Sequence, residues 1–134
     1  MLSQTVEYAL RAAIYIAREP DRPKRVSEIA EAIEAPRTYL AKILGQLARA
    51  GILDSARGAA GGFKLDRAAR ELRLRDIVAA FEANEQRRCL LGTGPCGANP
   101  SCTVHVRWAP IAKSMDAFFA DTTLADLLLN SPVT

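Results

Sequence analysis

Apolar positions recur at helical intervals along most of the chain and alternate only once, in a short central stretch. Val6, Leu10, Ala13, Ile14 and Ala17 place one apolar face on a first helix over residues 3–18. Glu19-Pro20-Asp21-Arg22-Pro23 ends it, because proline disfavours helix in the residue before it. Ile29 and Ile33 mark a short second helix over residues 26–33, with Ser27 its expected N-cap. The capping-box partner is absent, since Ala30 holds that position. Leu40, Ile43, Leu44 and Leu47 form the stripe of a third helix over residues 37–50. Pro36 suits its start and Gly51 its end.

The pattern then changes. Residues 52–56 read as a strand, 57–62 as a glycine-rich turn and 63–65 as a second strand. Two short helices joined by a tight turn and followed by a β-hairpin predict a winged helix-turn-helix. A fourth helix follows over residues 74–81, with Ile77, Val78 and Phe81 facing inward. Further on, Val104, Trp108, Ile111, Met115 and Phe118 recur at alternating intervals of four and three, a narrow seam like one strand of a coiled coil. That seam predicts a long helix pairing with a second copy of the chain. Pro110 is expected to kink it or to mark the start of its regular part. Thr122 or Thr123 should cap a final helical turn over residues 124–129. The expected fold is therefore mainly α with a small β-hairpin wing and a long C-terminal dimerisation helix. Residues 1–83 form the winged helix-turn-helix, and residues 84–134 a cysteine loop and dimerisation helix integrated with it in one domain.

The net charge of +3 becomes informative through its distribution. Residues 37–64 carry Arg37, Lys42, Arg49, Arg57 and Lys64 against Asp54 alone, and the rest of the chain is slightly acidic. A local basic surface is the footprint of phosphate contact. In a helix-turn-helix the N-terminal residues of the second helix reach base edges in the major groove. Arg37, Thr38, Tyr39 and Lys42 occupy those places, with Ser27 on the helix before. Arg57 at the wing tip suits the negative potential of a minor groove, with Gly58 and Lys64 beside it. The wing glycines lack the lysine-serine ending of a P-loop and open no helix, which argues against nucleotide binding. No apolar run approaches 18 residues, so no membrane partner is expected. The first helix carries Glu7 and Arg11 within its apolar stretch and does not read as a signal peptide, so a cytoplasmic protein is expected.

Candidate chemistry is concentrated in residues 89–105, which hold all 3 cysteines and the only histidine. An odd number of cysteines cannot pair completely, and a reducing compartment keeps them as thiols. Gly92, Gly94, Pro95, Gly97 and Pro100 suit a backbone bent closely around a cofactor, with N–H groups turned toward its sulfurs. Cys89, Cys96, Cys102 and His105 could hold zinc or an iron–sulfur cluster. A metal-free switch, in which two of the thiols form a disulfide on oxidation, uses the same residues. The lone histidine, with no paired carboxylate motif and no nucleophile elbow, leaves little on which to build an enzyme. A small redox carrier without DNA binding is disfavoured by the basic helix and wing.

Together these segments resemble the bacterial winged-helix regulators that include the iron–sulfur cluster regulator IscR, the nitric-oxide-responsive repressor NsrR and the iron regulator RirA. The resemblance covers nearly the whole chain. It rests on Glu7-Tyr8-Ala9-Leu10-Arg11, on Tyr39-Leu40-Ala41-Lys42-Ile43-Leu44, on Ala50-Gly51-Ile52-Leu53, and on Ser55-Ala56-Arg57-Gly58 with Gly61-Gly62-Phe63. The late cysteines ahead of a long helix complete it. It implies a homodimer on a near-palindromic operator in double-stranded DNA, with cluster state setting affinity. By position, Cys89, Cys96 and Cys102 would be the thiolate ligands of a 2Fe-2S or 4Fe-4S cluster. His105 resembles the histidine ligand of the cluster regulator. In other members an acid of the partner's first helix completes the site, and Glu7 matches it here. Some members lack both cysteines and cluster.

Overall fold

The computed structural model describes residues 2–58, 61–82 and 103–129. Helix α1 (Gln4–Ala17) lies at the centre. The Ser3 hydroxyl accepts the Val6 N–H at 3.2 Å and caps its start. Val6, Ala9, Ala12, Ala13, Ile16 and Ala17 are buried along it. Four of these six are alanines, whose small side chains let neighbouring helices approach closely. Helices α2 (Val26–Ile33) and α3 (Arg37–Arg49) pack on it.

Both of these helices end in the same way. Glu34 takes the left-handed conformation (φ 55°, ψ 48°), and the Ala35 N–H reaches the Ala30 carbonyl at 2.9 Å. Gly51, at φ 79°, does this for α3, with the Ile52 N–H on the Leu47 carbonyl at 3.0 Å. These bonds satisfy carbonyls that a helix end leaves without partners. The start of α2 differs from expectation: Arg25 is its N-cap, with no side-chain cap bond, and Ser27 lies one residue inside the helix. Arginine at position 25 has no side-chain acceptor, so it cannot cap the first N–H groups of α2.

Strands β1 (Leu53–Ala56) and β2 (Gly62–Leu65) pair antiparallel with Leu53 opposite Leu65 and Ala56 opposite Gly62. A further bridge joins Lys24 to Phe63 through two backbone bonds of 2.8 and 2.9 Å. The wing is thereby tied to the connector between α1 and α2. Gly62 makes this approach possible: at φ 143°, a Cβ there would stand 2.6 Å from the Lys24 carbonyl atoms.

Helix α4 (Leu74–Glu82) packs on α1 and α3, and the Gln46 side chain donates to the Ala80 carbonyl at 3.0 Å. Helix α5 (His105–Asp121) runs through Pro110 without interruption and packs on α4. Helix α6 (Leu124–Leu129) then returns to α1. Thr123 caps it reciprocally: its Oγ1 accepts the Asp126 N–H at 3.1 Å, and its own N–H donates to the Asp126 carboxylate at 2.9 Å. Leu124 is fully buried in the same core as Leu40, Leu44, Leu47, Leu72 and Ile77. The last helix is therefore a piece of the winged-helix core. Backbone bonds from Leu74 to Thr122 and from Leu124 to Leu72, each 2.9 Å, fix its return.

The seam expected along α5 divides into two flanks. Ala112 is buried, and Trp108, Met115 and Phe119 are half-buried beside it. Ile111 and Phe118 remain 55% and 51% exposed. A straight α-helix repeats every 3.6 residues, so positions 108, 112, 115 and 119 share one flank while 111 and 118 fall on the next.

Candidate nucleic-acid interface

Arg37, Thr38, Tyr39 and Lys42 occupy the first turn and a half of α3, and all four are exposed. The opposite face of the helix supplies Leu40, Ile43, Leu44 and Leu47 to the core. The helix is thus held from behind while its polar side is presented outward. Ser27 is exposed on α2. The wing places Arg57 and Gly58 exposed at its turn and Lys64 half-buried on β2. The Gly61 N–H closes that turn on the Gly58 carbonyl at 3.0 Å. Two helices and a hairpin thus carry these polar and cationic groups at the surface, none of them buried.

Three features of this surface escape sequence reading. Arg25 extends toward the wing, its Nη2 reaching the Gly58 carbonyl at 3.4 Å. Tyr39 is bound to α1 through its hydroxyl, paired with the Thr5 hydroxyl, and through its ring, edge-on to Tyr8 at 5.8 Å. Lys24 is 1% exposed, a cation under the wing. The adjacent cations Lys24 and Arg25 were the available signal, but nothing in their spacing tells which is buried.

Lys24 is accommodated by its partners. Its Nζ donates to the Glu19 carbonyl at 2.9 Å and the Arg22 carbonyl at 3.3 Å, and lies 5.8 Å from the centre of the Tyr15 ring. Burial pushes its pKa down, as desolvation disfavours the charged form. Alongside, the Arg22 guanidinium contacts Glu28 at 2.6 and 3.0 Å and Glu19 at 3.1 and 3.3 Å. The Tyr15 hydroxyl donates to Glu28 at 2.8 Å. Arg22 first, and Tyr15 second, hold the Glu28 carboxyl down at about 2. The same bond to Glu28 raises the Tyr15 phenol. This network braces the connector that carries Lys24, and through Lys24 the wing.

The candidate metal ligands are placed only in part. Cys89, Cys96 and Cys102 lie outside the described residues. His105 is the first residue of α5 and half-buried, and Glu7 is exposed in the first turn of α1. Among the described residues, no group of three or more His, Cys, Asp or Glu is gathered so as to hold a metal ion. Among them too, no helix is long and apolar enough to cross a membrane.

Comparison with known proteins agrees with this architecture. A relative from Aquifex aeolicus (strain VF5), described as a candidate HTH-type transcriptional regulator, is 36% identical over 131 residues, which is 96% of this chain and 91% of the relative. Among solved structures, CymR, the global cysteine regulator of B. subtilis, superposes with a TM-score of 0.81 at 23% identity over 98% of each chain, a likeness of fold. IscR of T. potens gives 0.77 at 25% identity, over 98% of this chain and 88% of that one. These are regulators and not enzymes. Residues 2–130 match the Rrf2 family, described as an iron-dependent transcriptional regulator, and the chain belongs to that family.

Proposed function

We propose that the chain is a homodimeric transcription regulator whose affinity for a near-palindromic operator is set by an iron–sulfur cluster on Cys89, Cys96 and Cys102. The observation that carries this reading is the gathering of all 3 cysteines and the single histidine between residues 89 and 105, in a chain of an iron-dependent regulator family. The donor set fits the group: three thiolates suit iron–sulfur or zinc, and a fourth ligand comes from His105 or from Glu7 of the partner subunit. When bound, a cluster supplies reactivity toward oxidants, iron supply or nitric oxide. The chain's own residues convert that state into DNA affinity. His105 opens α5, so ligation at this residue bears directly on that helix. The exposed Ile111 and Phe118 of α5 offer the apolar flank on which a second copy packs. Arg37, Thr38 and Lys42 enter the major groove, with Ser27, Arg57, Gly58 and Lys64 on the flanking backbone and minor groove.

A second reading keeps the fold and the DNA and replaces the cluster by zinc or by a metal-free thiol switch. It is favoured by the same three cysteines, and the fold is shared with CymR, the global cysteine regulator of B. subtilis. Anaerobic purification with a visible spectrum and analysis of iron, sulfide and zinc separates the two. The cluster reading expects coloured protein with matching iron and sulfide, lost in Cys96→Ala. Colourless protein with stoichiometric zinc, or with neither metal, would replace it by the second reading.

A further inference from the structure

Tyr39 stands among the residues that face DNA, yet its bonds run the other way. It is the third residue of α3, and a long helical side chain leans back toward the helix N-terminus. There its hydroxyl pairs with the Thr5 hydroxyl and its ring meets Tyr8 edge-on at 69°. Thr5 and Tyr8 lie three apart on α1, and Arg11 continues the same face. Arg11 is stacked over Tyr8 at 5.6 Å and donates to the carbonyl of Ile33. Ile33 is the last residue of α2, immediately before the left-handed Glu34. One face of α1 therefore grips the helix-turn-helix on both sides of its turn: the end of α2 through Arg11, and the first turn of α3 through Tyr39.

We propose that Tyr39 is a positioning residue, which sets the pitch of α3 against α1 through Thr5 and Tyr8, so that Arg37, Thr38 and Lys42 meet base edges in a fixed register. The proposal rests on the reading of α3 as the recognition helix. The Tyr39 hydroxyl, bonded to Thr5, is tied to α1. What it controls is the orientation of the three side chains that meet base edges, and hence discrimination between sequences more than general attraction to phosphate. A misdirected helix keeps its cations and loses its base contacts.

The test uses the full chain, purified anaerobically, and a duplex that the wild type selects from a randomised pool, with a scrambled duplex as control. Tyr39→Phe and Thr5→Val each remove one hydroxyl and keep the packing. Each is expected to weaken binding to the selected duplex by about two- to tenfold, one hydrogen bond's worth. Affinity for the scrambled duplex should hold, the double variant should be no worse than either single one, and Thr5→Ser should restore wild-type binding. Loss with Tyr39→Phe alone would make Tyr39 a direct DNA contact and overturn the proposal. Additive losses, equal losses on the scrambled duplex, or no loss at all would overturn it as well. If the wild type selects no duplex from the pool, the DNA reading itself fails and this role goes with it, which keeps the two failures distinct.

Discussion

Glu28 shows how single side chains hold the DNA-reading frame together. Its carboxyl, held at about 2 by Arg22 and Tyr15, titrates well below the ordinary value of 4.5. A depressed carboxyl stabilises the fold above its unfolded value, and the contribution fades as pH falls from about 4.5 toward 2. Glu28→Gln should therefore lower the unfolding midpoint at pH 6 and make little difference near pH 2. Thermal melts at the two pH values check this, and an equal gap at both would contradict the assignment. Gly62 makes a steric demand instead. With a Cβ 2.6 Å from the Lys24 carbonyl, Gly62→Ala should cost about 1–3 kcal/mol in denaturant unfolding, the usual cost of forced overpacking, and an unchanged midpoint would contradict it. Some of these details are legible in sequence. Ser3 before an apolar run and Gly51 after one announce helix ends by their intrinsic chemistry. Lys24 and Tyr39 are not legible, because the strand that pairs with the Lys24 backbone at Phe63 and the Thr5 hydroxyl that ties Tyr39 are distant in the chain.

The helices themselves are read well from periodicity, since each buries a stripe of its own. Helices α1 to α4 and the hairpin fall within a few residues of the expected bounds. Their packing partners are less visible. Helix α6 reads as a short tail in sequence, yet Leu124 is fully buried among residues of the winged helix. Nothing in LADLLL says against what it packs. Leu124→Ala should destabilise the whole fold by about 2–5 kcal/mol, measured by denaturant unfolding. An unfolding midpoint within experimental scatter of wild type would show that α6 docks only loosely. Helix α5 carries the opposite lesson. A four-three apolar spacing suggests one seam, and the structure divides it, with Trp108 and Met115 turned toward the body and Ile111 and Phe118 outward. The outward flank is the one we assign to the proposed dimer. Phe118→Glu should convert a dimer into a monomer at micromolar concentration while the chain stays folded, as sedimentation and circular dichroism would show. A dimer that persists through this change would place the interface elsewhere.

Seen as one molecule, the chain joins a winged helix-turn-helix, the network that braces its connector, and a cysteine-rich segment. Helix α1 touches α2 and α3 as well as α4 and α6, so it links the helix-turn-helix to elements that precede and follow residues 83–102. The fold was available from the sequence because each element buries its own stripe, whereas the cations of residues 37–64 cluster in sequence without saying what they face. The proposed ligands were visible as composition only: three cysteines and a histidine within 17 positions are candidate donors without saying what they hold. On the proposed function, the cysteine-rich segment governs DNA affinity. The most direct test is a titration of the selected duplex with anaerobic wild-type protein and with Cys96→Ala under identical salt. The two affinities are expected to differ by about 5- to 150-fold, the range of a typical allosteric coupling, with unfolding midpoints that leave both proteins folded. Equal affinities in two folded proteins would contradict it.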